Sequence, residues 1–375
     1  MTVSSGCLAE EIRPSNVEIR KGNAADFAQI ARLAEAVYGV RRSVDSVRWL
    51  YEANPAGPCK LWLAEDCTTK DIVALRPVFP WRFRIRGHDA LVGQAGDAMT
   101  HPAFRGQGLF SALVRASWSE LRDEGVPFSF SFSNPGSLSV YRKITIGVGQ
   151  RAGTHVVLQF RRMVCPLSLR VVCERVPVLD GVARGADRAY RGFQRRRWAL
   201  PRHLSVFPVE RFDEEFDELW SRTADRCGVL TVRDSRYLNW RFLDPPTAPF
   251  QVLGLRSHGC LAGYVAFEVD GEGYGHVADL FGPPEPEIIG ALLAASLTVM
   301  LERGCIKASI GAAMDCRFFP LIRQLGFLPR EESVPMAVHV YHDGPGMDAV
   351  LDAGEWLAWF GDRDVEHLAA APFRR

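Results

Sequence analysis

The sequence predicts a mixed α/β protein assembled from two related halves. Three observations carry that expectation. Strand-like alternation and helix-like spacing take turns along residues 17–160. At Ala95–Phe110 a strand runs into a two-glycine loop that opens a long amphipathic helix. A tryptophan-centred segment, Ser46–Pro55, recurs as Ser235–Pro245 about 190 residues later, and a period of that kind marks a tandem duplication.

Taken in order, Val17–Arg20 alternates as a strand. Asn23 can cap a helix from Ala24 to Val37, with Phe27, Ile30, Leu33 and Val37 at helical spacing. Asp45–Glu52 reads as a second short helix, stopped at Asn54-Pro55 because the residue before proline avoids helical backbone. Lys60–Glu65 and Ile72–Ile85 are expected strands with Gly87-His88 as a turn, and Leu91–Thr100 is another strand, broken by Pro102. A helix follows over Gly108–Glu124, then a strand at Phe128–Phe132, a short helix through Tyr141, and a closing strand at Val148–Phe160.

Pro166–Pro208 breaks the pattern and holds Arg184, Arg188, Arg191, Arg195, Arg196, Arg197 and Arg202. It reads as a bridging helix with a solvated basic face, and contact with an anionic partner is the sharper alternative. Beyond it, strands at Phe250–Arg256, Leu261–Val269, Gly275–Leu280, Ile306–Ile310 and Pro335–Tyr341 restart the order, with helices at Glu287–Arg303 and Phe318–Leu325. The expected division is a first unit over 1–162, an arginine-rich connector over 163–205, a second unit over 206–345 and a tail over 346–375.

Composition narrows the function classes. Lys+Arg 45 against Asp+Glu 44 leaves a net charge of +1, so no global field recruits nucleic acid or an anionic membrane. At 47% hydrophobic and 24% charged residues the chain falls in the globular range. The longest apolar stretch, Ala291–Leu301, is well short of the ~20 residues that span a bilayer. Met1–Asn16 has no apolar core of a secretory signal. None of the 9 cysteines forms a CxxC pair, so metal-ligand spacing is missing. A soluble, cytoplasmic protein with no metal and no membrane partner is the expectation.

Chemistry concentrates in the loop Arg105-Gly106-Gln107-Gly108. Glycines let backbone approach a bound group closely, and the helix start leaves N–H donors unpaired and favours an anion. No Lys-Ser/Thr follows the second glycine, so this is not a Walker loop. Ser111 stands where a dinucleotide fingerprint would need its third glycine.

Strand, Pro102, Arg105-Gly106-Gln107-Gly108, long helix, strand, Asn134 and a short helix with Tyr141 together resemble the acyl-CoA-binding core of the GNAT superfamily of N-acyltransferases. The resemblance covers about Val17–Phe160. Arg105, Gly108 and Leu109 fit the family pattern Arg/Gln-x-x-Gly-x-Gly/Ala, and Phe110 departs from it at the last position. It implies two tandem GNAT-like domains, each a mixed sheet splayed open after its fourth strand. It further implies that Arg105 and the amides of Gly106, Gln107, Gly108, Leu109 and Phe110 hold the pyrophosphate of acetyl-CoA or another acyl-CoA. The backbone of Met99 and Thr100 would pair with the pantetheine arm, Asn134 would contact the same arm, and Tyr141 would protonate the leaving sulfur. The family ending Tyr-x-x-x-Gly-aromatic is replaced here by Tyr141–Gly147. The second half, with Pro283, Pro284, Pro286, Glu285 and Glu287 at the loop position, reads as a degenerate repeat without cofactor.

A lysine-like amine is mostly protonated at neutral pH, so a base or a desolvating pocket must supply the free amine. Asp97, Met99 and His101 share one strand face by alternation, which makes Asp97 and His101 the candidate bases. Each also has a structural alternative: His101 capping the turn before Pro102, Asp97 bonding nearby backbone. The expected function is acyl-CoA-dependent N-acetyl transfer to a primary amine of a small molecule, an amino sugar being one candidate. A non-catalytic acyl-CoA sensor and a Fem-type aminoacyl-tRNA-dependent transferase are the alternatives.

Overall fold

The computed structural model describes residues 16–173, 180–246 and 250–363. The leader reading at residues 1–15 and the tail beyond 363 lie outside the described residues. The first half runs β1 (Val17–Lys21), α1 (Phe27–Tyr38), α2 (Val44–Tyr51), β2 (Lys60–Asp66), β3 (Ile72–Ile85), β4 (His88–Ala95) and β5 (Met99–Thr100). It continues with α3 (Leu109–Asp123), β6 (Phe128–Phe132), α4 (Pro135–Lys143) and β7 (Gly153–Pro166). Then come α5 (Arg170–Cys173), α6 (Asp180–Arg197), β8 (Leu204–Pro208), α7 (Glu214–Thr223), β9 (Val229–Thr231) and α8 (Ser235–Leu238), which ends in a π turn over Asn239–Leu243. The second half closes with β10 (Gln251–Ser257), β11 (Cys260–Val269), β12 (Tyr274–Phe281), α9 (Pro286–Glu302), β13 (Lys307–Ala313), α10 (Phe319–Gln324), β14 (Leu328–Val340) and β15 (Trp356–Leu357).

These strands form one continuous sheet in the order β1-β2-β3-β4-β6-β14-β7-β13-β12-β11-β10-β8. Its middle is an exchange. β14, the last long strand of the second half, pairs with β6 of the first, while β7 of the first half pairs with β13 of the second. The sheet therefore runs straight through the boundary expected at residue 162, which falls inside β7. The connector likewise yields its end to β8, the edge strand of the second half, because Leu204–Pro208 pairs antiparallel with β10.

Each half contains a central parallel pairing that stops early. β4 and β6 are paired only at Gly93–Ser129 and Gln94–Phe130, and β12 and β13 only from Tyr274–Lys307 to Val277–Ile310. Beyond those points the strands part and leave a notch. Phe132 lies level with Leu158 through Met336, and Ala313 lies level with Phe160, so both notches open at the middle of β7. This is the mixed, splayed α/β architecture that the family resemblance implies.

The expected strand Leu91–Thr100 is interrupted. Val78 opposes Ala95 and Leu75 opposes Met99, so three residues on one strand face two on the other. The extra residue is absorbed by a bulge in which Asp97 takes φ 46°. The strand expected at Val148–Phe160 begins only at Gly153, because Asp343 ties the preceding turn by accepting from the Arg151 amide and guanidinium. Alternation along β6 sends Phe128, Phe130 and Phe132 toward α2 and the second half, and Ser129 and Ser131 toward α3 and α4.

Candidate active site

α3 begins at a bare N-terminus. Gly108 is its N-cap at φ 76°, Gly106 precedes it at φ 79°, and no side chain caps the helix. Non-glycine residues rarely hold such backbone, and a Cβ at either glycine would meet nothing within 4 Å. The demand on these glycines is conformational, and the space above them is open. First-turn amides of α3 lack intrahelical partners, so Gly106–Phe110 form a donor surface on a positive helix end. Arg105 donates from Nε to the Thr100 carbonyl at 3.3 Å and is otherwise exposed beside that surface.

The loop leads back to the notch. Met99 and Thr100 pair with β3 along one edge only, leaving the edge toward β6 unpaired. Across the notch, Asn134 caps α4 by accepting from the Ser137 amide at 2.9 Å, and it is exposed. Tyr141 is 3% exposed. Its hydroxyl accepts from Nη1 of Arg76 at 2.8 Å, and its ring stacks on Trp118.

Several groups around Tyr141 were not singled out from sequence. Arg76 is buried, donates from Nε to Ser117 at 2.7 Å, and its Nη2 has no partner among the described residues. Among the described residues no carboxylate pairs with it. Its signal was a lone charge inside the apolar run Ile72–Phe79. His339 arrives on β14 from the second half, with its ring centroid 4.4 Å from that of Tyr141. Its Nε2 lies 2.9 Å from Ser131 Oγ and its Nδ1 3.0 Å from Thr154 Oγ1. Burial, and then the charge of Arg76, hold the His339 imidazole well below its usual pKa, so it is neutral.

On the α2 side of the sheet, Asp97 sits in the bulge with its side chain fully buried. Arg42 Nη1 donates to both of its oxygens, at 2.9 and 2.7 Å, and the Tyr51 hydroxyl donates at 2.7 Å. Burial opposes the Arg42 charge, but Asp97 more than offsets this and holds the guanidinium above its usual range. Burial, reinforced by Asp97, keeps the Tyr51 phenol protonated. The Asp97 carboxylate is thus engaged by a cation and a phenol, an arrangement suited to fixing Arg42 rather than to accepting a substrate proton. His101 Nδ1 accepts from the Ala103 amide at 3.3 Å, which places the proton of the neutral ring on Nε2. It lines a cavity of about 320 Å³ with Gln29 and Leu33 of α1. Asp97 is thus ion-paired with Arg42, and His101 has its Nδ1 turned to the Ala103 amide.

Residues 18–148 match the family model described as the acetyltransferase (GNAT) domain. No curated protein matches the chain by sequence. Among solved structures, the chain is similar to a GCN5-related N-acetyltransferase from Anabaena variabilis ATCC 29413, with TM-score 0.60, 13% identity and coverage of 87% of this chain and 73% of that one. A conserved protein from Enterococcus faecalis V583, described as a probable N-acyltransferase, gives TM-score 0.58 at 12% identity over the same shares, 87% and 73%. The Saccharomyces cerevisiae N-myristoyltransferase, solved with myristoyl-CoA, gives TM-score 0.59 at 12% identity, covering 90% of this chain and 82% of that chain. The fold is GNAT-like, and its length accommodates two such domains.

Proposed function

We propose that the chain is an acyl-CoA-dependent N-acyltransferase acting on a primary amine, with its site in the first half. The observation that carries this reading is the open, positive-φ cradle of Gly106 and Gly108 at the start of α3, beside the unpaired edge of Met99 and Thr100. A diphosphate fits the cradle by charge and by the direction of its donors, with Arg105 able to add charge-assisted bonds. The pantetheine arm would lie along Met99 and Thr100 as an added strand, with Asn134 on its other side. The thioester would then sit in the notch.

In that frame the free amine attacks the thioester carbonyl, forming the C–N bond and a tetrahedral oxyanion. Collapse breaks the C–S bond, and the departing thiolate takes the Tyr141 proton. Arg76, already donating to the Tyr141 oxygen, stabilises the phenolate that remains. The surplus proton on nitrogen returns to that phenolate through water, leaving an amide and free CoA thiol. Positioned acid catalysis of this kind contributes about 10²–10⁴-fold. Acetyl is the simplest acyl group.

A binding protein without turnover is the competing reading, favoured by the ion pair of Asp97 with Arg42 and the bond at His101 Nδ1. Thiol release from acetyl-, octanoyl- and palmitoyl-CoA over a panel of primary amines separates the two. Amine-dependent thiol release is expected. Tight acyl-CoA binding with no release from any amine would overturn the enzyme reading.

A further inference from the structure

The second half shows what a notch of this kind holds when the chain itself fills it. Beyond Val277 and Ile310, where β12 and β13 part, the segment Phe360–Asp362 lies between them. Phe360 covers Gly311, where any side chain would collide with the ring, and Gly361 packs on Ala278 and Asp279. Asp362 thereby delivers a carboxylate to Arg233 at 3.1 Å. Arg233 already holds Asp279 at 2.8 Å, and the Tyr264 hydroxyl donates to Asp279 at 2.6 Å.

Among the described residues, the first half builds the same constellation without the plug. Arg42 holds Asp97, and the Tyr51 hydroxyl donates to Asp97. The correspondence is positional as well as chemical. Arg42 stands seven residues before Trp49 and Arg233 seven before Trp240, two tryptophans that stack on each other. Asp97 and Asp279 each follow the last parallel pair of their half. The two arginines differ in what they have left. Arg233 uses Nε and Nη2 for carboxylates and Nη1 for the Thr231 carbonyl. Arg42 uses Nη1 alone among the described residues, so its Nε and Nη2 donors remain. Its side chain is 8% exposed, flanked by the Tyr38 ring, so a bond made there forms largely out of water.

We propose that Arg42 binds a carboxylate of the acceptor, so that the acceptor is an amine that also carries a carboxylate, an amino acid or a close relative. This rests on the N-acyltransferase reading above. The planar guanidinium offers the incoming carboxylate the donors that Arg233 offers Asp362. Asp97 fixes the guanidinium from its other side, and the amine end of the acceptor reaches into the notch where the thioester lies. A neutral amino sugar would leave those donors unanswered.

The test is kcat/KM for thiol release with L-amino acids, their carboxamides and their decarboxylated amines, on the intact chain with the same three acyl-CoAs. A charge-assisted bond of about 1.5–3 kcal/mol gives the carboxylated acceptor an advantage of about 10- to 100-fold over both analogues. Arg42→Lys keeps a cation beside Asp97 but loses the planar fork, and should shrink that ratio toward one. Equal turnover of the three acceptor types, or a ratio unchanged in a folded Arg42→Lys protein, would overturn the assignment while leaving the acyltransferase reading intact. Release from no amine at all would remove both, and acyl-CoA calorimetry on the same sample identifies that case.

Discussion

Trp49 and Trp240 are each other's hydrogen-bond acceptors. The indole N–H of Trp49 donates to the Trp240 carbonyl at 3.1 Å, and that of Trp240 donates to the Trp49 carbonyl at 3.3 Å. Their rings stack with centroids 5.2 Å apart and an interplanar angle of 23°. Such a reciprocal contact is the intrachain equivalent of an isologous interface, in which one patch meets its own copy. It sets the two halves against each other where α2 and α8 meet.

Trp240→Phe keeps an aromatic ring but removes one of the two bonds. The expected cost is about 1–3 kcal/mol, and Trp240→Ala should cost about 3–5 kcal/mol. Chemical denaturation followed by tryptophan fluorescence and by far-UV dichroism measures both. A single transition should move, because the sheet is continuous; resolved transitions for the halves would contradict the exchanged-strand description.

Gly108→Val places a β-branched residue at φ 76°, in the left-handed region, with no neighbour within 4 Å to clash. The backbone cost is about 1–2 kcal/mol, so the protein should stay folded. Acyl-CoA binding by calorimetry should nevertheless disappear, because the Cβ fills the cradle. Wild-type affinity in the folded variant would remove the loop from the site.

Stoichiometry should be one acyl-CoA per chain. In the second half Phe360–Asp362 stands between β12 and β13, and Pro283, Pro284 and Pro286 lack amide donors before and within the first turn of α9. Titration to two equivalent sites would mean that the segment yields to ligand.

Tyr141→Phe deletes the oxygen that accepts from Arg76 and keeps the stack on Trp118. Turnover should fall well beyond tenfold, toward the lower end of the ~10²–10⁴-fold that a positioned acid supplies. Stability should fall too, by about 1–3 kcal/mol, since a second Arg76 nitrogen loses its partner. Measuring kcat far below the melting temperature separates the effects. Wild-type kcat there would assign Tyr141 to packing alone.

His339 sets a pH dependence of stability. It is buried neutral with its pKa pushed well below the usual value, while the unfolded chain protonates it near pH 6.5. Below that pH the unfolded state binds one proton more, so stability falls with acidification by up to about 1.4 kcal/mol per pH unit. His339→Asn should flatten the slope of unfolding free energy between pH 6.5 and 5. An unchanged slope would assign the acid sensitivity elsewhere.

The first half was largely legible because its signals are local. A glycine pair before an amphipathic run, a proline after a strand and alternating phenylalanines each act within a few residues. The Asp97 bulge was not legible, since an extra residue in one strand is defined only against its partner β3. Arg42, Tyr51 and His339 belong to the same class: each owes its role to a neighbour far away in sequence. Phe360–Asp362 is only part of the expected tail over 346–375 until β12 and β13 are seen to part around it.

The exchanged strands also impose an order on how the molecule can be made. When residues 1–166 have left the ribosome, β6 has one free edge and β7 has no partner, because β13 is absent until residue 313 emerges and β14 until residue 340. For the length of some 170 residues of further synthesis, at about 5–20 residues per second, the centre of the sheet waits as open strand edge, the kind of surface that pairs with wrong chains. A nascent first half therefore exposes strand edge that only the later strands cover, and a chain stalled or cut before β14 carries the Gly106–Gly108 loop on a sheet that cannot close.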